Sequence, residues 1–204
     1  MSILILTVVG VVTAVLATQG EYKPTRRQVY IFKPVTTGLI IVIALLGTGV
    51  TPPLYKGLIV AGLLFCLGGD ILLMLPARYF IGGLVSFLVG HLLYIVAFVT
   101  DTGFQFSLLW LLPLLVFGGV IYSLLHPHLG SMRLPVIIYM ITILAMAWQA
   151  LGRWSDQPTS SGLLAAVGAV LFVLSDSTLA LDRFRAKFRS ARVIVLSTYW
   201  LAQW

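Results

Sequence analysis

The chain has 204 residues, of which 60% are hydrophobic and only 9% charged, and its mean hydropathy is +1.06. A soluble domain carries roughly 25% charged residues, so these proportions exclude a soluble globular fold and point to an integral membrane protein. The net charge of +7 invites a nucleic-acid reading, but the basic residues fall between apolar runs, where topology signals sit, and no nucleic-acid partner is expected.

Eight apolar runs follow one another, at residues 2–17, 31–49, 54–75, 79–99, 106–125, 134–151, 160–181 and 191–204. Most have about the 20 residues that a helix needs to cross a bilayer. The expected fold is therefore all-α, a single integral membrane domain over residues 1–204 built as a polytopic bundle of about eight transmembrane helices. The first run, "MSILILTVVGVVTAVLATQ" with its flanks, has no basic n-region and reads as a retained helix rather than a cleaved signal. The connections are short and carry Pro, Gly or charge: "TPP" at 51–53, "PAR" at 76–78, "HPHLGSMR" at 126–133 and "RWSDQPTSSG" at 153–162.

With the N-terminus outside, the inner connections hold eleven cations: Lys23, Arg26, Arg27, Lys33, Arg78, Arg133, Arg183, Arg185, Lys187, Arg189 and Arg192. The outer ones hold two, Lys56 and Arg153. This asymmetry predicts a multi-pass protein oriented by the positive-inside rule, in the plasma (inner) membrane if the source is bacterial. The one cysteine, Cys66, lies inside an apolar run and cannot form an intrachain disulfide. A faint repeat relates "GLLFCLGGDILLML" (62–75) to "GAVLFVLSDSTLAL" (168–181), each with Gly eight residues before Asp and Leu three and five after it. It predicts two four-helix halves in parallel orientation; chance similarity between apolar helices is the competing reading.

The polar residues inside these runs fall into layers. At ~1.5 Å rise per residue, Asp70, Tyr139 and Asp176 lie about 8 Å from the inner ends of their helices, with Lys33 opening the second helix nearby. His91 and Gln203 lie about 18 Å in. An aspartate at a helix centre costs on the order of 2.5–3.5 kcal/mol on insertion scales, so Asp70 and Asp176 are expected to be paired, water-lined or useful. Bland readings stand beside the functional ones. Lys33 and Asp70 would form a structural ion pair, or Lys33 would snorkel to the interface. His91 would be a hydrogen-bonding strut, Tyr94 and Tyr139 would pack, and Asp182 and Arg183 close by make Asp176 less isolated than Asp70. Gly62 and Cys66 share the stripe of Asp70, and Gly83, Phe87 and His91 form another with Tyr94.

Sharper motifs fail. His126-Pro127-His128 lacks the partners of a metal site. There is no G-x-S-x-G elbow, no P-loop and no HExxH, and neither metal nor cofactor is expected. The basic run "RFRAKFRSAR" (183–192) reads as a topology determinant that also attracts anionic lipid.

"KPVTT", "AGLLFCLGGDILLML", "FLVGHLLYIVAF", "GAVLFVLSDSTLALDRF" and "STYWLAQW", in this order, resemble the lysoplasmalogenase family of YhhN-like membrane proteins. The resemblance runs along nearly the whole chain and is weakest in the first and fifth helices. It implies an eight-helix hydrolase of the vinyl-ether bond of lysoplasmalogens, acting on a lysophospholipid among membrane lipids. Lys33, Asp70, His91, Tyr94, Tyr139, Ser175, Asp176 and Gln203 match its polar positions. Hydrolysis of a vinyl ether needs a proton donor and a carboxylate that stabilises a cation and directs water, roles that two carboxyl groups in different environments can divide. Asp70, with apolar or Gly neighbours only, is favoured as the acid and Asp176, beside Ser175, as the base, with the reverse left open. His91 would orient water or polarise a carboxyl group, and Lys33 and Tyr139 would bind the head-group phosphate, with Tyr94, Ser175 and Gln203 as further substrate contacts. An intramembrane aspartyl protease is disfavoured, because Leu67 stands where a GxGD signature needs Gly and Ser175 where it expects Tyr. The alternative is a transporter with a buried Asp/His proton relay.

Overall fold

The computed structural model describes residues 2–23, 25, 27–47 and 52–204. Arg26, Thr51 of the "TPP" turn and the last two residues of the expected 31–49 span lie outside the described residues. Among the described residues the chain forms eight α-helices and no strand. They are α1 (Ser2–Gly20), α2 (Arg27–Leu46), α3 (Pro53–Met74), α4 (Phe80–Thr102), α5 (Leu108–Leu125), α6 (Arg133–Asp156), α7 (Ser160–Ala180) and α8 (Ala191–Gln203). Seven of these helices, some lengthened by adjoining helical turns, are long and apolar enough to cross a membrane. The eighth has 13 residues, about 20 Å at the helical rise, short of a ~30 Å hydrocarbon core. Large apolar side chains face outward, with Leu109 70%, Val116 67% and Leu164 66% exposed. That is the inverse of a soluble protein's economy and fits lipid as the solvent. The chain is a multi-pass membrane protein.

Helix ends in lipid must satisfy their own backbone groups. Pro53 starts α3 where a missing N–H matters least. The Thr159 hydroxyl accepts the Gly162 N–H at 3.0 Å to cap α7. The Lys56 ammonium donates to the carbonyls of Leu45 (2.7 Å) and Gly47 (2.9 Å) and so closes the end of α2. Gly103, at φ +78°, supplies the left-handed residue that ends α4.

Two expected boundaries move. Lys33 does not open α2; the helix starts at Arg27 and carries Pro34 in its interior. Lys33 therefore lies about 9 Å into the helix. Proline more often marks a first turn, and here the chain tolerates the one hydrogen bond Pro34 removes. Arg153 is not in a loop, because α6 continues to Asp156. Its side chain is 10% exposed, and its Nε and Nη2 reach Asp101 Oδ2 at 2.8 and 2.6 Å, which lets the helix keep a cation in its last turn.

The chain divides into two compact units, residues 1–97 with 203–204, and residues 98–202. In the first, Thr36 donates to Thr13 at 2.9 Å and ties α2 to α1. Helices α3 and α4 meet through small residues: a Cβ on Gly69 would lie 2.5 Å from the Phe87 ring, and one on Gly90 would lie 3.0 Å from Cys66 Sγ and 3.1 Å from the Gly62 carbonyl. A Cβ on Gly62 would overlap the Tyr94 ring. Such close backbone approach is how membrane helices gain packing energy without a hydrophobic effect between them.

In the second unit the 103–107 connection is clasped by α6. Gln105 N–H donates to Gln149 Oε1 at 3.0 Å, Gln149 Nε2 donates back to the Gln105 carbonyl at 3.1 Å, and Trp148 Nε1 donates to the Ser107 carbonyl at 2.8 Å. Elsewhere in this unit Leu125, Leu129 and Val136 form an apolar plug packed by Leu181 and Phe184, which holds the α5–α6 connection against the π-helical turn Leu181–Arg185.

Gly62→Val is expected to lower stability by overpacking, about 1–3 kcal/mol, whereas Gly38→Ala, where an added Cβ meets nothing within 4 Å, leaves it unchanged or higher. Thermal unfolding in detergent measures both. An equal loss in the two variants would remove the packing explanation.

Candidate active site

Helix α2 presents Lys33 and Thr37 one turn apart on one face, and both reach Asp70 on α3. Lys33 Nζ lies 3.1 Å from Asp70 Oδ1. The Thr37 hydroxyl donates to Asp70 Oδ2 at 2.7 Å. Each carboxylate oxygen thus has a donor on α2. Asp70 is 1% exposed and Thr37 fully buried, while the Lys33 side chain keeps 12% exposure. A buried charge is tolerated when it is paired and hydrogen-bonded, and this cluster supplies both a cation and a hydroxyl donor. The ion pair considered beside the functional reading of Asp70 is present.

One turn before Asp70, Cys66 Sγ lies 3.8 Å from the Tyr94 hydroxyl. The Tyr94 hydroxyl donates to Gln203 Oε1 at 2.9 Å, so the last residues of α8 join the first unit. His91 is fully buried, with its ring centroid 6.5 Å from that of Tyr94 at an interplanar angle of 57°. The glycines at 62 and 90 make room for this: without Cβ atoms they let the Tyr94 ring and the Cys66 thiol lie against backbone.

The second unit holds the other predicted residues. The Tyr139 hydroxyl on α6 donates to Asp176 Oδ2 on α7. Ser175, 1% exposed, donates to the Val195 carbonyl of α8 at 3.0 Å, so its hydroxyl braces α7 against α8. Asp176 is half-buried. Among the described residues no three His, Cys, Asp or Glu side chains are grouped as around a metal ion. His126 instead sets its ring edge-on to Tyr122, with centroids 5.4 Å apart.

Sequence reasoning passed over Thr37 as a partner of Asp70. Its signal was the i, i+4 spacing to Lys33 within "KPVTT", which becomes legible once Pro34 is placed inside the helix. Gln149 was missed as well; a glutamine in an apolar helix has to find partners, and it finds the backbone of Gln105.

Buried polar side chains held between apolar helices define a polytopic membrane protein with a buried lysine–aspartate–threonine cluster. The chain belongs to the YhhN family, whose model matches residues 28–204. It is 30% identical over 192 residues to the uncharacterized membrane protein YhhN of Escherichia coli O6:H1, covering 92% of this chain and 89% of that one. It is 34% identical over 157 residues to human lysoplasmalogenase TMEM86A (71% of this chain, 61% of that one). To human lysoplasmalogenase TMEM86B it is 36% identical over 151 residues (73% and 61%). No solved structure matches it.

Lys33→Met, which strands Asp70 without its cation, is expected to cost about 3–5 kcal/mol. The double change Lys33→Met with Asp70→Asn should recover much of that loss. Additive losses in chemical denaturation would show that the two groups are not coupled. Thr37→Val should lose roughly 1.5–3 kcal/mol, the value of a hydrogen bond to a charged group, and Thr37→Ser little.

Proposed function

We propose that this protein is a membrane hydrolase that cleaves the vinyl-ether bond of lysoplasmalogens. The observation that carries the reading is the buried Lys33–Asp70–Thr37 cluster in a chain whose human relatives are named lysoplasmalogenases. The reaction consumes one water. A proton adds to the alkenyl carbon remote from oxygen, leaving an oxocarbenium ion; water adds to the carbon attached to oxygen; and the hemiacetal collapses to a fatty aldehyde and a glycerophospho-alcohol. Proton donation and carboxylate assistance of this kind contribute ~10²–10⁴-fold each.

Asp70 and Asp176 carry these roles, and their different partners suit a division of labour. Asp70, ion-paired to Lys33, suits the anion that stabilises the oxocarbenium ion and receives a proton from water. Asp176, bonded to the phenol of Tyr139, suits the proton-transfer group. This reverses the assignment favoured by the neighbours of Asp70 in sequence, because Lys33 of α2 lies against its carboxylate. In this reading His91 orients water or polarises a carboxyl group, Tyr94, bonded to Gln203, contacts the substrate, and Ser175 supports α7. The same reading sets the N-terminus outside and the polar layer toward the cytoplasm, supported by ten cations in or beside the inner connections, Lys33 being inside α2, against Lys56 and Arg153 near the outer helix ends. A cysteine introduced by Ser131→Cys would then react with an impermeant maleimide in inverted vesicles and not in intact cells.

The decisive measurement is aldehyde release by purified protein, read through a coupled aldehyde dehydrogenase, from lysoplasmalogen and from ester lysophospholipid. Release from the vinyl ether alone is expected. Asp70→Asn and Asp176→Asn should each lose about 10²-fold or more while keeping a cooperative thermal transition. Intact lipid recovered with wild-type protein, or full activity in both variants, would sink the proposal; transfer of intact lipid across the bilayer would favour a carrier.

A further inference from the structure

We infer that the end of the second unit formed by the α5–α6 connection and the 181–192 segment is a docking surface for the head groups of anionic phospholipids. The charged residues of this unit are sharply sorted. Six cations, Arg133, Arg183, Arg185, Lys187, Arg189 and Arg192, lie in or beside these two connections, against a single carboxylate, Asp182. The helix ends beside the other connections of the unit carry one cation, Arg153, and two carboxylates, Asp101 and Asp156. Arg183, Arg185, Lys187 and Arg189 are exposed.

The surface is built rather than loose. Phe184 and Leu181 pack on the plug of Leu125, Leu129 and Val136, which brings the two connections to one end. The Ala186 N–H closes the π-helical turn onto the Leu181 carbonyl at 3.1 Å. Asp182 Oδ1 accepts the Phe188 N–H at 3.1 Å, so part of the one local carboxylate is spent on the backbone. The loop therefore holds its cations apart on a fixed frame.

Two features select a lipid surface as the occupant. The seventh apolar span ends at Arg185, which sets the cations where helix gives way to head groups. Phe188, 40% exposed, stands between Lys187 and Arg189; an apolar ring flanked by cations suits the interfacial layer, where the ring leaves water and the cations meet phosphates. Net negative head groups complement this charge, whereas zwitterionic ones carry their own ammonium. The inference is independent of the proposed hydrolysis.

The test uses the full chain in nanodiscs, with a fluorophore on Ser190→Cys; the native Cys66 is buried. Quenching is compared between phosphatidylglycerol and phosphatidylcholine, each carrying a nitroxide at carbon 5 of one acyl chain. At low salt phosphatidylglycerol should associate roughly fivefold or more in preference, the scale of one engaged cation. In 1 M NaCl, where the screening length falls to about 3 Å, the preference should approach unity. Arg185→Gln with Lys187→Gln should reduce it, and Lys56→Gln, in the first unit, should not. Equal quenching by the two lipids at low salt, or a preference untouched by salt, overturns the inference without reference to any variant. So does retention of RNA by the detergent-solubilised protein in the absence of a lipid preference.

Discussion

A carboxylate inside an apolar helix is the constraint around which the first unit is arranged. Burying the Asp70 side chain is unfavourable unless a cation and a hydrogen-bond donor are brought to it. Both come from one face of α2: Lys33 to one oxygen and Thr37 to the other. That requirement sets the register of α2 on α3, because sliding α2 by one residue would turn both donors away. It also accounts for an interior proline being tolerated next to Lys33. Along the stripe of Asp70 and beside it, α3 carries Gly62, Cys66 and Gly69, which let α4 approach until Tyr94 and Phe87 touch backbone. The ion pair and the glycine seam thus work on neighbouring faces of the same helix.

The second unit solves the same problem by different means. Asp176 is met by the phenol of Tyr139, a neutral donor, and stays half-buried. The charged pair of this unit, Arg153 with Asp101, is used instead to hold the end of α6 to the end of α4, beside the clasp that Gln149 makes on Gln105. Two aspartates at matching places in a faint repeat therefore have unlike partners. Under the proposed reaction that difference is useful, since acid and base work is divided when two carboxyl groups sit in different environments.

The spans were legible in the sequence because lipid demands long apolar runs, and seven of the eight expected helices meet that demand. Local signals misled at two places for one reason. Lys33-Pro34 reads as a helix start and Arg153 as a loop residue when only sequence neighbours are counted, yet each cation is carried inside a helix by a carboxylate on another element. Partners of this kind are invisible to hydropathy. Thr37 was hidden differently, because threonine is common enough in membrane helices to pass as packing. The bond from Tyr94 to Gln203 joins residues 109 apart, and no spacing rule reaches that far.

The cations themselves divide into two kinds, which a count of charges does not distinguish. The two assigned to outer connections are both engaged in the fold: Lys56 closes the end of α2 through two carbonyls, and Arg153 is paired with Asp101. A cation spent on the fold is tolerated on either side of a membrane, because its partners travel with it. Arg185 and Lys187, by contrast, are exposed at the end of an apolar span, on a turn whose rigidity comes from Phe184 beneath it and from Asp182 bonding the backbone. Charge held in that way is stabilised by what lies outside the protein. Under the proposed orientation, the same residues that bias insertion would then gather anionic head groups around the second unit, as inferred above.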